Sequence, residues 1–515
     1  MNARALLHVL LALSCVGAAA CATIAPARFA DTTVVVEVDD ERPIPSPAKR
    51  LTTPLTYANA LGRRTIVEGL DPRRTPRALD VNAFDDVPRS SWFTEPAGGA
   101  LGAVTNQESG PPEAPLRVMP RHPESGRSGL VVLDARGIRY EIGRDPKDRP
   151  VMRTAAAAIA SNLVRAVGYR VPEVDVVAIR ESELVVASVD GQPAPNDAVR
   201  AFLDDGPPPF AGYYRVTATR WPPGVDLGPT QPHAVRDDDA NDRVPHEDRR
   251  TLRALRVVRA WLSFAGFGVH SLRDVYVGAP GKGHVEHFIV GLEGALGADQ
   301  ARGPADEPRS ADAAPDPTRG RDPLGLLVTF GFGGRQPPRD LRFPSIGAFE
   351  PEVTSGDYES EVVFAPTYRM TAADAYWVAK HIATVPNDAI AAAVERGRVD
   401  QPTRERLVRI IAARRDGVVA RAYADVTPVD VVSFDGVTVT LRDYGFTRRA
   451  EARFEVETVD DAGAPLAPPR VLMPTGALFT LTAPRAPYVV VRLHVTRGDY
   501  EAPRTTEVHL RERAG

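Results

Sequence analysis

The sequence predicts a mixed α+β protein with several domains. Three observations support this class: a strand, strand, helix, strand, strand pattern that starts near residue 129, amphipathic helices from about residue 247, and alternating apolar residues from Val431 onward. Apolar residues three and four apart indicate helices, whereas strict alternation indicates strands. At roughly 150 residues per domain, the chain of 515 residues is long enough for several domains.

Composition and charge exclude several functional classes. The chain has 63 Lys and Arg against 67 Asp and Glu, a formal net charge of −4. A nucleic-acid partner is therefore not expected, because such proteins need clustered positive charge. The two cysteines are Cys15, inside the N-terminal apolar run, and Cys21; a mature chain that begins after this run would have one cysteine, too few for Cys-ligated zinc or iron–sulfur clusters. The 48 prolines and 41 glycines exceed average usage and predict long irregular connections.

Residues 1–21 have the pattern of a signal peptide. Arg4 precedes an apolar run of 13 residues, Ala5–Gly17, and small residues follow up to Cys21. The run is shorter than the about 20 residues that a membrane-spanning helix needs. Ala18–Cys21 resembles a bacterial lipobox, which implies that Cys21 is the lipid attachment residue. The expected location is the extracytoplasmic cell envelope, at the inner or the outer membrane; plain secretion after Ala20 is the alternative.

The first half of the chain is predicted to hold a tether and a mixed lobe. Residues 22–78 read as the tether, because the proline-rich stretch 42–47 favours a stiff, extended spacer. Residues 79–200 read as an N-terminal mixed α/β lobe. Its predicted elements are a hairpin at 130–142, a helix at 150–167 between Pro150 and Gly168, and strands at 174–179 and 183–189.

The second half is predicted to be a helical lobe followed by a β domain. Residues 201–430 carry helical patterns at 247–264, 372–383, 388–395 and 402–424, with strands at 274–277 and 287–290. The segment 298–322 has too few apolar residues to fold and is a predicted disordered insert. Residues 431–515 predict a small β-sandwich, because short strands alternate with turn residues.

No catalytic motif and no metal site is predicted. Ser46–Lys49 fits a serine-nucleophile pattern but lies in the proline-rich stretch and lacks its partner motif. His246-Glu247 lacks the second histidine of a zinc protease helix. His284 and His287 stand three apart on a predicted strand, which places them on opposite faces.

Val81–Thr94, Gly168–Glu173 and Asp239–Leu262 resemble segments of a family of uncharacterised bacterial secreted proteins and lipoproteins. That family is similar to kinase-like folds, including HipA-type toxin kinases. The resemblance extends over about residues 79–430 and implies a kinase-like, two-lobed core, a small mixed β lobe plus a helical lobe.

The kinase-like positions are degenerate in this chain. By the resemblance, Gly143 takes the place of the strand lysine and Ala157 that of the helix glutamate. Gly266 and Ser271 replace the catalytic aspartate and asparagine, and Gly291 replaces the metal-binding aspartate. Glycine and alanine cannot supply the charges that nucleotide phosphates and magnesium require.

The sequence therefore predicts a pseudokinase-like, non-catalytic binding or scaffolding module without a cofactor, held to a membrane by its lipid and bound to an unknown protein or envelope partner. One alternative is an atypical phosphotransferase in which Arg144, Lys147 and Glu293 act as displaced substitutes. Mutation of Glu293 would then abolish activity. A hydrolase of envelope polymers is a second alternative, and an α+β scaffold unrelated to kinases is a third.

Overall fold

The computed structural model of the chain separates into two compact units. The larger one lies within residues 34–426, and the smaller one within residues 427–515. The structure describes residues 37–38, 40–50, 77–82, 85–105, 110–119, 129–186, 188–189, 192–193, 196–298, 345–359, 364–446, 452–498 and 504–511. Cys21 and residues 299–322 of the predicted insert lie outside this part of the chain.

A six-stranded sheet forms one part of the larger unit. Its strands are β1 Leu116–Val118, β2 Gly129–Leu133, β3 Arg139–Gly143, β4 Val174–Ile179, β5 Leu184–Val186 and β8 Tyr214–Arg220, and β6 Ser188–Val189 pairs separately with β7 Gln192–Pro193. The sheet order is β4-β8-β3-β2-β1-β5, antiparallel except for the parallel pair of β1 and β5. Alternate residues of β2 and β3 are buried, and those of both strands belong to the same apolar core.

Nine helices are present in the described part of the chain: α1 Gly99–Thr105, α2 Met152–Val167, α3 Asn196–Asp205, α4 Arg250–Arg253, α5 Leu255–Leu262, α6 Ala365–Tyr368, α7 Ala372–Ala383, α8 Asn387–Arg396 and α9 Gln401–Ala424. Helix α2 is central, because 14 of its 16 residues are buried. It ends at Gly168, where the backbone is left-handed (φ 119°) and a Cβ would lie 2.6 Å from the Phe93 ring. None of the described helices combines the length and apolar character needed to cross a bilayer.

A second, three-stranded sheet contains β9 Val225–Pro229, β10 Leu272–Val277 and β11 His284–Ile289. The order is β11-β10-β9, and both pairs are antiparallel. Strands β10 and β11 form a hairpin in which Leu272 pairs with Ile289. The hairpin connects the loop that follows α5 to the segment that follows β11.

Residues 40–50, which we call the docked segment, are hydrogen-bonded to the rest of the larger unit, although the sequence predicts a tether here. Asp40 accepts hydrogen bonds from the backbone N–H and the hydroxyl of Ser91 at 2.9 and 2.7 Å. The Ile44 N–H donates to the carbonyl of Gly283 at 2.9 Å, and the Ile44 side chain is buried. Extended, proline-rich backbone has no internal hydrogen bonds, so its polar groups remain available to neighbouring elements.

Seven strands make up the described part of the smaller unit: β12 Val429–Phe434, β13 Thr438–Asp443, β14 Ala452–Val459, β15 Pro465–Leu472, β16 Leu478–Thr482, β17 Tyr488–Arg497 and β18 Arg504–Arg511. They form two antiparallel sheets, ordered β12-β13-β16 and β15-β14-β17-β18. Leu441 of the first sheet and Phe454 and Val491 of the second belong to one buried core. Inside the unit, Arg497 donates to both carboxylate oxygens of Asp443 at 2.8 and 2.9 Å.

The predicted α+β class is confirmed at the level of a mixed protein with several sheets. Two predicted elements are wrong in detail. Instead of one strand over 183–189, a 3-10 turn at Glu181–Glu183 leads into the short β5. The single helix predicted over 247–264 is divided into a 3-10 turn, α4 and α5, and the extended backbone of Arg249 (φ −85°, ψ 125°) separates the 3-10 turn from α4.

Candidate functional site

The structure brings some of the degenerate kinase-like positions together. Ser271 directly precedes β10 and Gly291 lies just after β11, and the Val290 N–H donates to the Ser271 carbonyl at 2.9 Å. Gly266 lies in the loop between α5 and this hairpin. Ser271 and Gly291 therefore share one end of the β10–β11 hairpin, and Gly266 lies five positions before Ser271 in the chain.

Ala157 lies on α2, and Gly143 lies at the end of β3. Ala157 is buried on α2 in a cluster that includes Val174 and Val176 of β4. Gly143 ends β3, and a Cβ at this position would lie 2.9 Å from the Thr217 hydroxyl oxygen of the adjacent strand β8. A side chain at Gly143 would require the Thr217 hydroxyl to move.

The backbone at Gly291 likewise suits glycine. Its φ of 73° and ψ of 37° fall in the left-handed region, where a side chain is disfavoured. Gly291 precedes a 3-10 turn, Leu292–Gly294, that contains the half-buried Glu293. Gly143 and Gly291, which the resemblance aligns with charged groups of kinases, are thus glycines whose surroundings the structure describes.

Arg144, a predicted displaced substitute, is engaged elsewhere. Its guanidinium donates to the carbonyls of Leu203 and Pro207, and to that of Phe202 at 3.3 Å. These are carbonyls at and after the last turn of α3, which have no partner inside the helix. Arg144 therefore caps the C-terminus of α3, whereas Lys147 is exposed in the turn before α2.

Replacing Arg144 with alanine is expected to lower the free energy of unfolding by about 1–3 kcal/mol, because buried carbonyls lose a charged donor. Amide hydrogen exchange in α3 should accelerate. Lys147→Ala is the matched control and should change stability by less than about 0.5 kcal/mol. Equal effects of the two substitutions in urea unfolding would contradict the capping role.

Buried ionisable side chains surround Trp92, a feature that the sequence motifs did not reveal. We call this group the Trp92 cluster; it consists of Trp92, Arg236, Asp242, His246, Arg249, Asp274 and His287, all buried. The Trp92 ring stacks on the His287 ring with centroids 3.5 Å apart. The Arg249 guanidinium lies 4.6 Å from the Trp92 ring centroid, a cation–π contact.

Asp242 is the first of two anionic centres in the Trp92 cluster. Its carboxylate lies 2.7 Å from His246 Nε2 and accepts from Arg249 and from the Arg236 N–H, each at 2.6 Å. Burial raises the pKa of Asp242, but the hydrogen bond and charge of His246, with the charge of Arg249, outweigh it and hold the pKa well below its usual range. Asp242 is thus held as an anion.

Asp274 is the second anionic centre. Its oxygens lie 2.9 Å from His287 Nδ1 and 2.9 Å from Arg236 Nη1, and the Thr230 hydroxyl also donates to it. Burial raises the pKa of Asp274, and the charges of His287 and Arg236 lower it by more. His287 therefore faces Asp274, while His284 points to a different set of partners near Glu286.

The Trp92 cluster is better suited to a structural role, holding chain segments together, than to acid–base catalysis. Its carboxylates are paired with cations of the cluster itself, and buried charges that are satisfied in this way fix the geometry of the segments that carry them. The segments are residues 85–94, 236–253 and the β10–β11 hairpin. In the sequence, the feature that could have indicated the Trp92 cluster was the high density of charged residues directly before an apolar helix.

An apolar cavity lies between α2, α5 and the segment after β11. Its lining includes Val164, Leu255, Val258 and the buried Arg259, whose guanidinium donates to the Tyr358 carbonyl at 3.0 Å. Burial lowers the pKa of Arg259 to about 10. The cavity has space for about one water molecule, whereas small-molecule sites usually measure roughly 300–1,000 Å³. It is a packing gap and not a nucleotide pocket.

Comparison with known proteins does not assign a family. A scan against protein-family models finds no match. A search of curated proteins also finds none. The resemblance to kinase-like lipoproteins therefore remains a prediction.

Proposed function

We propose that the chain is a lipid-anchored, extracytoplasmic protein whose degenerate kinase-like domain acts as a non-catalytic binding or scaffolding module of the cell envelope. Its C-terminal unit is proposed to be a β-sandwich. One observation carries this proposal: the left-handed backbone of Gly291 suits glycine, a side chain at Gly143 would meet the Thr217 hydroxyl, and Arg144 is bound to carbonyls of α3.

The order of elements along the chain supports the kinase-like arrangement. Strand β3 precedes α2, antiparallel strands β4 and β8 follow, and α5 then leads to the β10–β11 hairpin. Gly266, Ser271 and Gly291 flank that hairpin in the order that the family resemblance implies. The two antiparallel sheets that share a core support the sandwich.

Loss of catalysis follows from electrostatics. Phosphoryl transfer depends on positive charge at the phosphates and on hard oxygen ligands for magnesium. Removing a single preorganised stabilising group typically costs about 3 kcal/mol of transition-state stabilisation. Loss of the five groups replaced by Gly143, Ala157, Gly266, Ser271 and Gly291 would leave negligible phosphotransfer.

The test is a thermal-shift titration of the purified full-length chain with ATP, GTP and ADP, each with magnesium, manganese or a chelator. The expected result is no shift. A nucleotide at about 100 times its Kd would stabilise the protein by about 2.7 kcal/mol, so binding would be detected. A metal-dependent shift that Glu293→Gln abolishes would overturn the proposal and favour the phosphotransferase.

A further inference from the structure

Three side chains that could bind a metal meet where the docked segment crosses β11. They are Glu41, His284 and Glu286, and one potential ligand atom from each lies within 4.8 Å of the others. His284 and Glu286 are two residues apart on β11, so their side chains project from the same face of the strand. Glu41 comes from the docked segment, 243 positions earlier than His284.

The ligand atom of His284 is buried without a hydrogen bond. His284 Nε2 has no hydrogen-bond partner within the part of the chain that the structure describes. The nearest carboxylate oxygen, Oε1 of Glu286, is 3.6 Å away, beyond hydrogen-bonding distance. A ring nitrogen in this situation needs a partner, because an unsatisfied buried polar atom costs free energy.

Arg170 contacts both carboxylates. Its Nη1 lies 3.1 Å from Glu286 Oε1, and its Nη2 lies 3.3 Å from Glu41 Oε1. Carboxylates that ligate metals are commonly held by such outer hydrogen bonds, which fix their orientation. The glutamate side chains are 16% and 35% exposed, so an ion could enter from solvent.

We propose that Glu41, His284 and Glu286 form a binding site for a divalent transition-metal ion of the zinc class. One imidazole nitrogen and two carboxylate oxygens are ligands that zinc accepts, and three protein ligands leave a fourth position for water. Magnesium is disfavoured, because it requires octahedral oxygen coordination. The ion would tie the docked segment to β11. This site is independent of the proposed scaffolding function.

The competing arrangement is an ion-pair network without metal. Arg170, together with Arg89 at 3.6 Å from Glu41, already offsets the charges of the two glutamates. A metal adds positive charge to a group that is balanced in this way. The ion-pair network without metal predicts no saturable zinc binding, whereas the proposed site predicts one ion per chain.

The experiment is a calorimetric titration of zinc into the chelator-treated full-length chain, with magnesium as the comparison ion. The expected result is one zinc per chain. Glu41→Gln, His284→Gln and Glu286→Gln should each weaken binding at least ~10-fold. The matched control is His494→Gln, because His494 Nε2 lies 3.4 Å from Glu457 on a strand of the smaller unit, and it should bind zinc as the wild type does.

A second measurement guards against variants that fail to fold. Zinc should raise the thermal midpoint and slow proteolysis of the docked segment in the wild type and in His494→Gln, but not in the three site variants. Far-UV circular dichroism in chelator checks that the variants are folded. Absence of stoichiometric zinc binding in the wild type, or unchanged affinity in Glu41→Gln, would overturn the proposal.

Discussion

Asp374→Ala is expected to lower the free energy of unfolding of the larger unit by about 3–5 kcal/mol, the range for breaking a buried ion pair by removing one partner. Asp374 Oδ1 accepts from Arg250 Nε at 3.0 Å, and Oδ2 lies 3.8 Å from Arg253 Nη1. Burial lowers the pKa of Arg250, but the charges of Asp85 and Asp374 outweigh it and raise the pKa. The substitution would leave the two fully buried arginines short of negative charge.

Urea unfolding followed by tryptophan fluorescence measures this effect. The four tryptophans, Trp92, Trp221, Trp261 and Trp377, all belong to the larger unit, so the signal reports on that unit alone.

A control separates the ion pair from helix capping. Asp374 also forms the capping box of α7, accepting from the Thr371 N–H at 2.9 Å, while Thr371 Oγ1 accepts from the Asp374 N–H. Thr371→Ala removes the cap from the threonine side and should cost about 1 kcal/mol. If Asp374→Ala costs no more than Thr371→Ala, the buried ion pair contributes little.

Acidification from pH 7 to pH 4 is expected to remove about 3 kcal/mol of stability through His381. Burial lowers the pKa of His381 from 6.5 to about 4, with Lys380 adding to the effect and Asp86 opposing it. The ring lies against Phe93 and Trp377, with centroids 5.0 and 5.1 Å away. Glu95 is 3.7 Å away but mostly exposed, so water screens its charge.

The direction of this change in stability follows from proton binding by the folded and the unfolded states. Between pH 6.5 and about 4, the unfolded chain binds a proton at His381 that the folded chain excludes, so stability falls as the pH is lowered through this window. Above pH 6.5 the contribution is constant. Below about pH 4 the folded state is protonated as well, and His381 causes no further loss.

His381→Gln should flatten the stability profile between pH 6.5 and pH 4, measured by urea unfolding at closely spaced pH values. His494→Gln, a substitution in the smaller unit, is the control and should leave the profile of the larger unit unchanged. Carboxylates such as Glu247 titrate lower: burial raises its pKa, but hydrogen bonds from His233 and the backbone lower it to about 2. Equal slopes for wild type and His381→Gln would refute the prediction.

Elements with local signals were predictable from the sequence. The β2–β3 hairpin and α2 match their predicted positions, because the turn at 134–137 and the stop at Gly168 are encoded within a few residues. Helix α7 has the predicted bounds, 372–383, and begins with a capping box in which the Asp374 N–H donates to Thr371. The parallel pair of β1 and β5 was not predictable, because its three-residue strands are 66 residues apart.

The sequence predicted which charged groups the candidate site lacks, but it did not predict which residues contact one another there. Glycine at 143 and 291 can be read from the sequence, but the engagement of Arg144 with α3 depends on a helix that the patterns did not reveal. The stacking of Trp92 on His287 joins residues 195 positions apart. Such contacts arise from tertiary packing, which local propensity does not encode.

If Cys21 carries a lipid, the docked segment limits how far the larger unit can stand from the membrane. The 16 residues from Cys21 to Glu37 span at most about 55 Å when fully extended. A tether running to residue 78 would reach more than about 190 Å on the same scale. With a lipid on Cys21, docking of residues 40–50 would therefore shorten the tether more than threefold and hold the larger unit in the layer next to the lipid surface.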